Sequence, residues 1–222
     1  MCGIVGFIKL NNKKHEFSSI DTIKKMVNQI QSRGPDFQDY WQSEDSKVFF
    51  GHSRLSIIDL SNKSNQPILS NNKRWTVVFN GEIYNYKDLK TILKDRNDLS
   101  GDTKVLTSLI EQFGFEKAIE KIDGMFAIAA WDSLQKKLYL TRDRIGEKPL
   151  YYSLNEDFLF FGSNINSVRK FPSNNFSLSN SAISQYFKYN YIPSPQSIYK
   201  NVFKLVPANI LVFDTKTNKK NI

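Results

Sequence analysis

The sequence predicts an α+β fold in which antiparallel sheets are faced by helices. Three observations carry this. Apolar and aromatic strand-like runs follow one another across short polar turns, without the regular strand–helix alternation of a parallel sheet. Amphipathic helical periods are few and grouped in the first half. The chain has 222 residues, 40% of them hydrophobic and 14% aromatic, which suffices for a core that no disulfide reinforces.

The elements follow in order. Residues 2–10 read as a buried first strand. Residues 18–32 read as a helix capped by Ser19, with Ile20, Ile23, Val27 and Ile30 on one face and a break at Arg33-Gly34-Pro35-Asp36. Strands are expected at 37–42, 47–51, 54–60 and 74–79. Helices are expected at 85–95, 103–113 and 115–122. The second half turns to β at 125–132, 137–142, 150–153 and 158–162, with short helices near 164–170 and 181–188 and a last strand at 210–214. The polar run 215–222 suits a linker or tail.

Composition excludes several functions. The single cysteine, Cys2, forbids an intrachain disulfide and a Cys-rich zinc site, and two histidines leave little for a metal centre. No metal is expected. The longest apolar stretch near the middle, 125–131, is far short of the ~20 residues a membrane span needs. The apolar start lacks the charged flank and cleavage site of a signal peptide, so a cytoplasmic location is expected. The formal charge of +9 comes mostly from scattered lysines, 24 against 7 arginines. Nucleic-acid grooves cluster such charge among aromatics, so neither nucleic acid nor membrane is an expected partner.

The chemistry begins at Cys2. If Met1 is removed, Cys2 carries a thiol and a free α-amine on one residue, and the amine can serve as the base that activates the thiol. By itself the same residue reads as a small hydrophobe in a buried strand. Eight motifs in order decide between the two: Met1-Cys2-Gly3-Ile4-Val5-Gly6, Arg33-Gly34-Pro35-Asp36, the segment Gly51 to Asp59, Gln66-Pro67, the segment Phe79 to Asn85, Gly101-Asp102-Thr103, Gly124-Met125-Phe126-Ala127 and the segment Arg142 to Tyr152. Together they resemble the class II, N-terminal-nucleophile glutamine amidotransferase domain, and most of all the glutaminase half of glutamine-hydrolysing asparagine synthetases. The resemblance covers residues 2–214 and implies a four-layer αββα sandwich with two mainly antiparallel sheets.

The resemblance also implies roles. Cys2 would attack the carboxamide carbon of glutamine and form a thioester, releasing ammonia. Asn80 and the backbone N–H of Gly81 would hold the oxyanion. Asn80-Gly81 alone would be a β-turn between strands. Arg54 would grip the α-carboxylate of glutamine beside the backbone of Leu55, Ile57 and Ile58, and Asp102 and Glu82 would meet its α-ammonium. Taken singly, Arg54 is a surface charge and Asp102 a helix N-cap. His52 reads as structural, Arg33 and Asp36 as a loop supporting the nucleophile, and Arg142, Asp143, Arg144 and Lys148 as scaffold. Departures from the family pattern fall at Ser32, Ser64, Lys104, Asn164 and Ala208-Asn209, none of them an expected substrate contact.

No cofactor is expected for this domain. ATP and Mg belong, by the resemblance, to a synthetase domain that follows the glutaminase. The chain ends about where that domain would begin, so it is expected to supply ammonia to a separate synthetase domain or subunit, with aspartate as the acceptor. Homodimer formation stays open. The alternatives are a glutaminase for another acceptor, such as a carboxylated sugar, and a catalytically silent regulatory or binding module should Met1 be retained.

Overall fold

The computed structural model describes residues 2–13, 15–95, 99–172 and 176–222. Met1, whose loss the amine chemistry requires, lies outside them. Twelve strands and six helices are present among the described residues. The first sheet contains β1 (Gly3–Lys9), β2 (Phe37–Gln42), β3 (Val48–Arg54), β8 (Tyr151–Leu154), β9 (Phe158–Gly162) and β10 (Phe203–Lys204), in the order β10-β8-β9-β1-β3-β2. The second contains β4 (Ile68–Leu69), β5 (Trp75–Ile83), β6 (Gly124–Asp132), β7 (Lys137–Arg142), β11 (Ile210–Asp214) and β12 (Lys219–Asn221), in the order β12-β11-β7-β6-β5-β4. Every strand pair is antiparallel.

Three apolar cores separate four layers. Ile4, Phe50, Val78, Leu140, Phe161 and Phe213 fill the space between the sheets. Helix α1 (Ser19–Asn28) and helix α5 (Ile165–Arg169) cover the outer face of the first sheet through Ile23, Met26, Val27 and Val168. Helices α2 (Tyr86–Ile92), α3 (Asp102–Phe113) and α4 (Phe115–Lys121) cover the second through Leu89, Val105, Leu106, Leu109 and Ala118. This is the αββα sandwich that the resemblance implied. Helix α6 (Asn180–Tyr189) buries only Ala182 and leaves Tyr186 and Phe187 exposed.

Several local expectations are corrected. Ser18, not Ser19, caps α1, its Oγ accepting the Asp21 N–H at 3.2 Å. The helix stops at Asn28, a separate turn spans Gln31–Arg33, and Ile20 is exposed. Residues 54–60 are no strand. β3 ends at Arg54 and the chain then loops with Ile57, Ile58 and Leu60 exposed. Apolar composition suggested a strand there, but the buried Arg54 guanidinium claims the loop carbonyls and prevents ladder pairing. Asn80-Gly81 is not a turn: both residues lie inside β5, opposite Ala127 and Phe126. Asp102 is the first residue of α3 and Gly101 its N-cap. Within 215–222, residues 219–221 pair with β11 as β12.

Two departures have local explanations. Asn164 caps α5, its side chain accepting the Asn166 N–H at 2.9 Å. Ala208 sits at φ 57°, a conformation in which glycine is free of the strain that any Cβ brings.

Candidate active site

Cys2 immediately precedes β1, and Gly3 pairs with Ser53, so Cys2 stands level with Arg54 at the end of β3. Its Sγ accepts the Leu55 N–H at 3.3 Å and lies 3.5 Å from the Leu55 carbonyl oxygen. Burial pushes the thiol pKa up, with the Leu55 N–H and the nearby Arg54 charge partly offsetting it. The thiol is therefore protonated at neutral pH and requires a base to become a nucleophile.

The loop before β2 supports this residue from two sides. Arg33 Nε donates to the Cys2 carbonyl at 3.0 Å, and Asp36 accepts the Ser56 N–H at 2.7 Å. Arg33 and Asp36 thus tie Cys2 and the segment that touches its sulfur to one loop.

Cys2, Arg54, Leu55, Ile57, Ile58, Asn80, Gly81, Glu82 and Asp102 all line one cavity, with empty space of about 610 Å³ that includes its open mouth. Every residue assigned to catalysis or glutamine binding from the sequence is brought to this cavity. Gln66, Ser64, Asp59, Met125 and Lys148 also line it and were given no such role. Ser64 was set aside as a packing difference, yet its Oγ donates to Asp59 at 2.6 Å on the cavity wall. Lys148 was read as scaffold. It is 5% exposed and shares the same wall. The one hint in the sequence was Gln66, which stands in the Gln66-Pro67 motif just ahead of β4.

The β5–β6 register decides which backbone groups face the cavity. Gly81 is opposite Phe126. Phe126 turns both its polar groups to the other side: its carbonyl accepts the Asp143 N–H at 2.8 Å, and its N–H donates to Asp143 Oδ2 at 3.2 Å. The Gly81–Phe126 pair is therefore a non-hydrogen-bonded pair, and the Gly81 N–H points away from β6. Its neighbours of the same parity point the same way. The Phe79 N–H donates to Gln66 Oε1 at 2.5 Å, and the Ile83 N–H to Asp102 Oδ2 at 3.1 Å. Gly81 lies between them with an N–H that neither claims. A Cβ on Gly81 would meet the Met125 carbonyl at 2.1 Å, so glycine is required here by the neighbouring strand rather than by a ligand.

Asn80 is 1% exposed, and among the described residues its Nδ2 has no hydrogen-bond partner. A buried amide donor left unpaired is costly, which marks a group kept for something else. His52, fully buried, bonds through Nε2 to the Phe79 carbonyl at 3.2 Å and so bridges the two sheets beside Asn80. Burial drives its pKa down to about 3, so it is neutral and serves as a tie, not a base.

Arg54 donates from one terminal nitrogen to Ser61 O at 2.7 Å and Asn65 Oδ1 at 2.6 Å, and from the other to the Asp59 carbonyl. Those bonds shape the loop after β3 and leave two of its five N–H groups uncommitted among the described residues. Burial pushes the Asp102 carboxyl upward, N–H bonds from Ile83 and its own helix start pull it back, and the Glu82 charge raises it again. A buried carboxyl with an acidic neighbour creates a place that favours a cation.

The 142–148 turn is built as scaffold. Arg142 donates to the carbonyls of Lys148 and Leu205, each at 2.7 Å. Burial alone would raise the Asp143 pKa, but backbone N–H bonds from residues 146–148 and Phe126 outweigh it and hold the carboxyl below its usual range.

Comparison with known proteins gives the family of the chain. The glutamine amidotransferase domain family matches residues 1–221. A putative asparagine synthetase [glutamine-hydrolyzing] 2 of Methanocaldococcus jannaschii is 32% identical over 96% of this chain and 44% of its own length. Asparagine synthetase [glutamine-hydrolyzing] 1 of Bacillus subtilis is 34% identical over 94% of this chain and 33% of its own. The chain thus spans less than half the length of these curated relatives. Among solved structures, the glutamine phosphoribosylpyrophosphate amidotransferase of B. subtilis superposes with a TM-score of 0.69 over 99% of this chain and 49% of its own, at 16% identity, a likeness of fold. With a family match that runs almost from end to end, this chain belongs to the glutamine amidotransferase domain family.

Proposed function

We propose that the domain hydrolyses the side-chain amide of glutamine through a Cys2 thioester and delivers the ammonia to an acceptor-activating synthetase. The observation that carries this reading is the meeting at one cavity of the Cys2 thiol, the Gly81 N–H that turns away from β6, and the Asn80 Nδ2, which has no hydrogen-bond partner among the described residues. After loss of Met1, the Cys2 amine takes the thiol proton as the sulfur bonds to the carboxamide carbon. The carbonyl π bond opens and its oxygen becomes an oxyanion, held by the Gly81 N–H and the Asn80 side chain. Collapse breaks the C–N bond, the proton held by the amine passes to the leaving nitrogen, and ammonia departs. Water then cleaves the thioester to glutamate and restores the thiol.

Glutamine fits the charge pattern of the cavity. Its carboxylate suits the two free N–H groups of Arg54, and its ammonium suits Asp102 and Glu82. The names of the curated relatives favour aspartate as the ultimate acceptor, and their greater length favours a synthetase region that supplies its activation with ATP and Mg.

Cys2→Ala tests the chemistry. Glutamate release should vanish while thermal unfolding stays within a few degrees of the parent. Hydrolysis retained in that variant would sink the thioester route. Intact-mass measurement tests the amine: the active protein should lack Met1, and full activity with Met1 attached would exclude the amine as base.

A further inference from the structure

The edge of β5 that turns away from β6 carries the N–H groups of residues 75, 77, 79, 81 and 83. Trp75 donates to Ser70 Oγ at 3.0 Å, Val77 pairs with Ile68, Phe79 donates to Gln66 and Ile83 to Asp102. Among the described residues, the Gly81 N–H alone on this edge is left without a partner, facing the cavity. The device that frees it is at Gln66. The β4–β5 register sets Ile68 against Val77, so Gln66 falls opposite Phe79. In a continued ladder the main-chain carbonyl of residue 66 would accept the Phe79 N–H. The side-chain carbonyl of Gln66 accepts it instead, which lets the main chain leave the sheet just before the cavity while the Phe79 N–H stays satisfied. The Phe79 carbonyl is held from the opposite sheet by His52. Both polar groups of Phe79 are therefore clamped immediately before Asn80 and Gly81. Gln66 is itself 3% exposed and lines the cavity.

We propose that Gln66 is a positioning residue for glutamine hydrolysis: by replacing a strand's carbonyl with its own, it opens the edge of β5 at Gly81 and fixes the line on which Asn80 and Gly81 present their donors. This rests on the reading of those two groups as the oxyanion site.

Gln66→Leu keeps the bulk and removes the acceptor. Its kcat for glutamate release should fall about 10- to 100-fold with KM within about 3-fold, because the donors matter most in the tetrahedral state. Gln66→Glu keeps an acceptor. As a neutral acid its carbonyl imitates the amide, whereas as a carboxylate it sets negative charge beside the developing oxyanion. Its kcat relative to the parent should therefore decline as pH rises, which a purely structural role would not produce. Labelling of Cys2 by a diazoketone analogue of glutamine separates the two levels of the argument. Labelling of both the parent and Gln66→Leu shows that nucleophile and pocket survive, so the kcat loss belongs to positioning. No labelling of the parent overturns the glutaminase reading itself. The Gln66 proposal is overturned by a folded Gln66→Leu with parental kcat, by a KM rise at unchanged kcat, or by a Gln66→Glu ratio that is flat with pH.

Discussion

Replacing Asn80 by leucine should make the domain more stable and nearly inactive. The two side chains have the same branching and almost the same size, so the substitution removes polarity while keeping shape. Asn80 is 1% exposed and its Nδ2 is buried without a partner among the described residues. A buried, unsatisfied donor costs about 1–3 kcal/mol. Leucine removes that cost and adds no new polar atom. For a chain of this size each kcal/mol moves Tm by about 2–4 °C, so a rise of roughly 2–12 °C is expected. Loss of one oxyanion donor lowers kcat by about 10²–10³-fold. Scanning calorimetry and a coupled glutamate assay on the same preparation read both numbers. A lowered Tm would mean that the amide is satisfied in the folded protein. Parental activity would mean that Asn80 plays no part in the chemistry. Either result refutes the view that this amide is held unpaired for the transition state.

Two further substitutions test the frame around it. In Gly81→Ala the new Cβ starts 2.1 Å from the Met125 carbonyl and ordinary contact begins at 3.4 Å, so β5 and β6 must part by more than 1 Å. A shift of that size costs about 10²-fold in rate and roughly 1–3 kcal/mol in stability, read from kcat and Tm, and unchanged values would show that the strands yield freely. His52 has a folded pKa near 3 against about 6.5 when unfolded, so the unfolded state binds the extra proton first as pH falls. Its contribution is complete above pH 6.5 and is lost between about 6.5 and 3, at up to ~1.4 kcal/mol per pH unit. His52→Gln, which keeps a donor for Phe79, should flatten the fall of urea-midpoint stability over that window, and an unaltered slope would place the acid sensitivity elsewhere.

Much of the site was legible in the sequence because its chemistry is concentrated in short motifs. A lone cysteine at position 2, Asn80-Gly81, Arg54 and Asp102 could be assigned together once their order matched a family. Where residues taken singly point the wrong way, the cause is a partner elsewhere in the chain. Residues 54–60 look like a strand because Leu55, Ile57, Ile58 and Leu60 are apolar, but the guanidinium of Arg54 gathers the loop around itself. Asn80-Gly81 looks like a turn because that dipeptide often is one, but nine consecutive pairs with β6 hold it extended. Asp102 taken singly reads as a cap, and its carboxylate does meet its own helix start, but it also accepts an N–H nineteen residues away, at Ile83.

The sequence by itself determined the fold class and the set of residues that gather at one cavity around Cys2, because periodicity and motif order are local properties. Only the tertiary structure decided which of these groups are free to act. Among the described residues, the register of β5 against β6, the side-chain carbonyl of Gln66 on Phe79 and the carboxylate of Asp102 on Ile83 together leave one N–H unclaimed on that edge of the strand. Those partners lie far apart in the chain, and hydrogen-bond parity along a strand is fixed by its neighbours in space rather than by its own residues.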